Sequence, residues 1–391
     1  MPPISPPAES VEGMEVLPPG AGEPAPTSVR DEIAGDPTAI TMGEYGDYHA
    51  LDQANCDVWA HRPALTSSTG TWLRRGWWYT EIEAVVLNRM WKRDDMTLGQ
   101  DSASNRKLIL ARTDPGASGS VRFTLGRFLF RDIKNRDHTM EFTAFGGGES
   151  TQDDTLTSAS DGQTLFVPTG ISDFNPAFDG AQTMNVDYDS RFNSFEVNYR
   201  VKERLSRDRM LLTPGGEWVR TANEGVTKQY LVGFRYFDLV DTLDWNATNI
   251  STFANEDGNY HVEADNDMFG LQIGGSMLFE HDRWNIEIMG KGGPYITDVK
   301  SESRLTITND ADSSFTVNNR DTTLSYIGEL QIIGRYHLRP NISLKAGWQM
   351  MYVSAVALAP DQLNFSPDDG RFPYTGDPFY NGGIFGMECY W

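Results

Sequence analysis

Four consecutive runs between Asp267 and Tyr352 keep their apolar residues on one face for nearly their whole length. In the first, Phe269, Leu271, Ile273, Gly275, Met277 and Phe279 alternate with Gly270, Gln272, Gly274 and Ser276. After the polar break His281-Asp282-Arg283, Trp284, Ile286, Ile288 and Gly290 alternate with Asn285, Glu287, Met289 and Lys291. The third sets Tyr326, Gly328, Leu330, Ile332, Gly334, Tyr336 and Leu338 against Ser325, Glu329, Gln331, Ile333 and Arg335. Past Arg339-Pro340-Asn341, the fourth sets Ile342, Leu344, Ala346, Trp348, Met350 and Tyr352 against Ser343, Lys345, Gly347 and Gln349. A period of two with no helical rhythm predicts a sheet with one apolar and one polar face.

Length narrows the choice. The runs extend over roughly 10–13 residues, against about five or six in an ordinary strand and about 9–11 for a tilted strand crossing hydrocarbon. Aromatics stand near the ends of the apolar rows: Phe269, Phe279, Trp284, Tyr326, Tyr336, Trp348 and Tyr352 here, with Trp78 and Trp391 on outlying strands. Those are the places where an outer-membrane barrel carries its interfacial girdles. A soluble sandwich would need a second protein layer over the same rows.

The remaining strands follow the same rhythm. Gly76 to Trp91 places Trp78, Thr80, Ile82, Ala84 and Val86 opposite Tyr79, Glu81 and Glu83. Ser120–Arg131 and His138–Gly146 flank a short polar turn, and Arg191–Lys202 sets Phe195, Val197, Tyr199 and Val201 against Glu196, Asn198 and Arg200. Gln229–Val240 sets Tyr230, Val232, Phe234 and Tyr236 against Leu231, Gly233, Arg235 and Phe237, and a last strand runs from about Asn381 to Trp391. The fold class predicted is all-β: a closed, antiparallel, up-and-down transmembrane barrel of about 10–12 strands. Residues 1–45, Pro-rich as far as Pro26, read as a disordered arm, 46–70 as an irregular lead-in, and 71–391 as the barrel.

Connections alternate in length. Those after the second, sixth and eighth strands are tight turns, and most of the others span roughly 25–45 residues, which puts long loops at one mouth and short turns at the other. The connection after the fourth strand departs from this alternation and carries Arg204, Arg207, Arg209 and Arg220. Acids collect in the long connections: residues 147–189 hold eight Asp or Glu and no Lys or Arg, and residues 241–266 hold six and none. An acidic rim should attract cations, and Asp153, Asp154, Asp161, Glu256 and Asp257 are candidates for loosely held Ca²⁺ or Mg²⁺, without EF-hand spacing.

The formal charge of −22 argues against nucleic acid as a partner, since phosphate binding needs a basic surface. Cys56 and Cys389 support no disulfide framework; one bridge or two separate thiols both fit. Residues 1–30 lack the basic and apolar regions of a signal peptide, so a leader is expected to be processed or to lie upstream. Counting back from Trp391, Cys389, Met387, Phe385 and Gly383 share one face. This is similar to the terminal-strand signal read by barrel-assembly machinery.

Several segments resemble one family: Trp72-Leu-Arg-Arg-Gly-Trp77-Trp78-Tyr79-Thr-Glu81-Ile-Glu83, Gly233-Phe-Arg-Tyr-Phe237, Asp267 to Gly275 followed by Arg283-Trp284, and Leu338 to Gly347. Over about residues 70–391 the chain is similar to the type-7 β-barrel porin family found mainly in planctomycete bacteria. The resemblance implies a barrel in the bacterial outer membrane, with lipid and lipopolysaccharide around it and no catalytic residues to carry over. A homo-oligomer is compatible with it.

With the strands phased in this way, Glu81, Glu83, Glu141, Glu196, Arg200, Arg235, Glu287, Lys291, Glu329, Arg335 and Lys345 point into the lumen. They can fill the bore as a cross-strand ion-pair network or form a charged constriction. An enzyme is not expected: of the six histidines only His261 lies in a long connection, near Glu256, Asp257 and Asp265. The sequence therefore predicts a porin-like channel or envelope barrel, with a non-conducting surface barrel as the alternative.

Overall fold

The computed structural model describes residues 78–391, apart from 91–96, 103, 105, 111–115, 135, 160–163, 169–174, 176, 206–208, 213–217, 222–224, 250–255, 282–283, 309, 311, 340 and 366–371. All described residues belong to the unit Trp59–Trp391. The N-terminal arm, the lead-in, Cys56 and Asp161 lie outside them.

In chain order the strands are β1 (Trp78–Met90), β2 (Thr97–Asp101), β3 (Lys107–Ile109), β4 (Ala117–Arg131), β5 (Arg136–Thr157), β6 (Leu165–Phe166) and β7 (Thr183–Arg204). Next come β8 (Arg209–Leu212), β9 (Trp218–Thr221), β10 (Gly225–Thr248), β11 (Gly258–Glu280) and β12 (Trp284–Ile307). The last are β13 (Phe315–Arg339), β14 (Ile342–Ser354) and β15 (Phe379–Tyr390). Ten of these close into a ring in the order β1-β15-β14-β13-β12-β11-β10-β7-β5-β4. β1 completes it, with Ile82 opposite Met387 on one side and Phe123 on the other. Closure leaves no row of unpaired backbone groups within the lipid, where such groups cannot be hydrated.

The apolar rows face outward. Ile82, Phe142, Val197, Phe234, Leu271, Ile288, Ile332 and Phe385 are all exposed, and no second sheet covers them among the described residues. Lipid is their cover. From Phe269 to Phe279 the exposed belt is ~25 Å tall, taking about 3.3 Å per residue and a tilt near 40°, which matches a bilayer's hydrocarbon.

The wall has two heights. β1, β4, β14 and β15 are 12 to 15 residues long, whereas β5, β7, β10, β11, β12 and β13 are 22 to 25. The six long strands stand clear of the membrane as a tall half-wall. This corrects the predicted loop lengths: much of 147–189 and 241–266 is strand, and β10 and β11 are joined by residues 249–257 alone. The strand does not stop at the membrane boundary; only its outward residues change. Above the row Phe195–Tyr236–Phe269–Ile296–Leu324 come Asn193–Asp238–Asp267–Asp298–Thr322 and further Thr, Asn and Asp rows. Alternation persists there as polar-out, apolar-in, so a search for greasy faces on the lipid side ends each strand too early. The connection after β7, expected as a basic exception, contains the β8–β9 hairpin.

The bore is filled at three levels. Nearest the short turns lies a charged lattice, described below. Above it Phe192 stacks on Phe237 at 5.4 Å and meets Phe145 and Tyr380 at 5.1 and 5.3 Å, within a cluster that includes Val85, Leu239, Met268 and Met351. Inside the tall half-wall, Tyr188, Leu243, Trp245 and Tyr260 pack against Leu98, Leu108, Leu165, Phe178 and Leu363. The wall's partners there are brought by the small sheet β3-β2-β6, by the connection between β6 and β7, and by the connection between β14 and β15. The last of these is the one that folds into the bore. That connection turns inward at Ala355, whose φ of 57° lies in the left-handed region, and includes a 3-10 turn at Ala359–Gln362. Asn266 clamps it, donating to the Ala357 carbonyl at 2.9 Å and accepting from its N–H at 2.8 Å.

Candidate functional site in the barrel interior

The lumen-facing residues of alternate strands meet across the bore. Arg235 on β10 donates to Glu329 on β13 at 2.7 Å and lies 3.6 Å from Glu196 on β7. Lys291 on β12 bridges Glu196 at 2.6 Å and Glu329 at 3.2 Å. Lys345 on β14 reaches Glu81 at 2.6 Å and Glu83 at 2.5 Å on β1, and Arg122 on β4 also meets Glu83, at 3.2 Å. Nearer the short turns Arg200 pairs with Glu141 at 2.5 Å, and Arg335 with Glu287 at 2.6 Å. All eleven charged residues expected in the lumen therefore contribute to one lattice of alternating sign. Sequence reasoning missed Arg122 as a lattice member, although its period-two position opposite Val121 and Phe123 carries that signal.

Above the lattice, Arg89 and Asp241 form a second strut. Arg89 holds Asp241 through both guanidinium nitrogens, at 2.9 and 3.0 Å, and neither side chain is more than 1% exposed. Tyr188 and Ser190 donate to the same carboxylate at 2.7 and 2.6 Å. The pair ties β1 to β10 across the bore, four places apart in the ring. Its members went unnoticed in the sequence because both lay in stretches read as strand end or loop.

The girdle residues Trp78, Phe269, Phe279, Trp284, Tyr326, Tyr336, Tyr352 and Trp391 are exposed on the outer face, as is Trp348. Trp284 and Tyr336 sit opposite one another near the short turns. Trp348 is set inward from that edge, opposite Ile332, within the apolar belt.

The described carboxylates singled out for metal binding, Asp153, Asp154, Glu256 and Asp257, form no cluster. Asp153 and Asp154 lie on opposite faces of β5, while Glu256 and Asp257 sit in the turn before β11, where Asp257 accepts from the Asn249 N–H at 2.8 Å. The described carboxylates that do converge are Asp238, Asp265 and Asp267 on the outer wall, with oxygens within 4.8 Å of one another. Lys300 already occupies that cluster, at 3.2 Å from Asp265 and 2.7 Å from Asp267.

Higher on the half-wall Asp153, Asp187 and Asp244 occupy one cross-strand row beside His261. Burial, then the Asp153 and Asp244 charges, raise the Asp187 carboxyl above its usual range; burial, then Glu149 and Asp187, raise Asp189. A raised folded-state pKa means the folded wall takes up protons more readily than the unfolded chain. Stability is then gained as pH falls and lost as it rises through the folded value. Amide exchange over residues 183–190 and 241–248, corrected for intrinsic rates, should be slower near pH 4, about the unfolded carboxyl pKa, than near pH 7. In an Asp187→Asn/Asp189→Asn variant that difference should shrink.

No curated protein matches the chain. Among solved structures it is similar to the outer membrane protease OmpT of Escherichia coli, with 9% identity, 81% of this chain and 97% of that chain covered, and a TM-score of 0.40. It is also similar to CarO of Acinetobacter baumannii, with 13% identity, 79% and 97% coverage and a TM-score of 0.19. A FadL homologue of Pseudomonas aeruginosa shows 9% identity, 80% and 89% coverage and a TM-score of 0.22. The family described as Putative beta barrel porin-7 (BBP7) matches residues 112–379, more than half of the sequence and most of the ring from β4 to the start of β15. With its ten-strand closed ring and lipid-facing belt, this outer-membrane β-barrel protein belongs to the porin-7 family.

Proposed function

We propose that this barrel is a closed element of the bacterial outer membrane, non-conducting at rest, whose tall half-wall is its contact surface outside the membrane. The observation that carries this reading is the filled bore. Charged struts span it, an apolar layer sits above them, and the Asn266-clamped connection lies over both. An ion would have to part Arg235 from Glu329 and Glu196 and then cross the Phe192–Phe237 layer. Lipid and lipopolysaccharide surround the belt in this reading, and β15 is the strand offered to the assembly machinery. Divalent ions screen the acidic outer wall without serving as a resident cofactor.

The reading is non-enzymatic, and in it the described histidines serve packing and hydrogen bonding. His138 bonds Tyr199 at 2.6 Å, His261 bonds Asp244 at 2.8 Å, His337 bonds Ser343 at 2.7 Å, and His281 stacks on Trp284 at 4.1 Å. A conducting porin is the second reading, favoured by the family match. Planar-bilayer recording separates the two. The expected trace is flat after insertion verified by a heat-modifiable gel shift. Stepwise cation-selective current from the unaltered protein would overturn the closed reading.

A further inference from the structure

Above the belt the half-wall is an open sheet bounded by β5 and β13, and its two borders are treated differently. The border of β5 is dressed by this chain: Ser150 donates to the Gly116 carbonyl at 2.6 Å, and Arg106 donates to the Thr157 carbonyl at 3.3 Å. The border of β13 is bare. Its ladder to β14 ends at Tyr326 opposite Ser354, and at Ala355 the chain turns away into the bore. From Phe315 to Thr323, no backbone bond joins the far side of β13 to another segment among the described residues. None of these residues is buried on either face.

Unpaired N–H and C=O groups are a template for another strand, and sheets usually blunt such a border with Pro, Lys, a bulge or a covering loop. Phe315 to Thr323 contains no Pro and no Lys, and its ladder to β12 runs without a bulge. One charge stands on its inner side. Asp321 lies opposite the buried Val299, so it shares that face, and it is in no ion pair among the described residues. Its carboxylate accepts from the neighbouring Thr322 N–H at 2.7 Å. On the same side Phe315 and Val317 are half-buried, with room for further cover.

A second copy in the same membrane cannot supply the missing strand, because a wall strand beside this border would run down into the place that β14 holds. A free extended segment can. Asp321 and the formal charge of −22 favour a cationic one. We propose that the upper border of β13 docks an extended, cationic peptide segment of a partner protein, in the line that β14 abandons, with a Lys or Arg set against Asp321. Backbone bonds supply the affinity of such an added strand and alternate side chains its specificity. The proposal deepens the contact-surface reading and rests on it only in placing the half-wall outside the membrane; its failure would leave the closed bore, tested by current, untouched.

The probe is a labelled synthetic peptide of about nine residues, the length of the bare border, with Thr on one face, Val on the other and Lys at the central Val position. It is titrated to millimolar concentration against the full-length protein in detergent, at ionic strength held constant with NaCl. Saturable one-to-one binding by anisotropy is expected, with slowed amide exchange confined to residues 315–323. Of two peptides N-methylated on alternate residues, the one whose methyl groups face β13 should bind at least about tenfold more weakly, and the other should bind as the parent does. Asp321→Lys, with the heat-modifiable shift retained, should weaken the Lys peptide by about threefold to tenfold and strengthen a peptide with central Glu by a similar factor. Absence of saturable binding to the unaltered protein would overturn the proposal, as would protection outside 315–323 or equal binding by the two methylated peptides. Self-association that protects the same residues with no peptide present would also overturn it, by making the occupant a second copy.

Discussion

Asp241→Ala should lower the unfolding free energy of the barrel by about 3–5 kcal/mol, the usual cost of removing one partner from a buried ion pair. Truncation leaves the Arg89 guanidinium, 1% exposed, facing an empty carboxylate site between Tyr188 and Tyr380. Tyr188 and Ser190 lose their shared acceptor at the same time. The loss should appear as a lower urea midpoint for the folded band in a heat-modifiable gel assay. The paired change Arg89→Met/Asp241→Leu removes both charges and should recover most of the stability, because well-packed apolar residues often replace a buried pair at little cost. If the double variant is no better than the single one, the strut's importance lies in its geometry rather than in charge compensation.

Trp245→Ala should cost a similar amount, about 3–5 kcal/mol, through the cavity it leaves, but in a different place. Trp245 is fully buried in the half-wall core, with Phe178 at 4.5 Å and Phe365 at 5.7 Å. The membrane belt and the charged lattice lie outside that cluster, which touches the Arg89–Asp241 strut only through Tyr188. Limited proteolysis of the variant in detergent should therefore cut the tops of β7, β10 and β11 while the belt remains protected and heat-modifiable. Loss of the whole folded band at the same denaturant concentration would show that the two layers unfold as one cooperative unit.

The ring was legible in the sequence because lipid imposes a strict rule: each wall strand must be apolar on alternate residues for the full depth of the belt. Phe269 to Phe279 and Ile342 to Tyr352 satisfy it almost without exception. The charged lumen was legible for the same reason, since the residues between those apolar positions have only the bore to face. What the sequence obscured lies above the membrane. There the outward residues of β10 pass from Phe234 and Tyr236 to Asp238, Thr242 and Asp244, and the pattern reads as loop although the ladder to β11 continues to Ala247. The apolar residues inside the half-wall, such as Leu243 and Trp245, find their partners in Leu98, Phe178 and Leu363. Contacts so distant along the chain leave no local rhythm to read.

The seam between β1 and β15 carries a kinetic consequence. It joins the first and last strands of the ring, with the Trp78 N–H donating to the Trp391 carbonyl at 3.0 Å and the reverse bond at the same length. Every other junction in the ring joins strands nearer in sequence, so it can zip as a hairpin while this one waits for both flanks. Until then the growing sheet exposes two raw borders, and a scaffold that shields them should accelerate maturation far more than it alters the final stability.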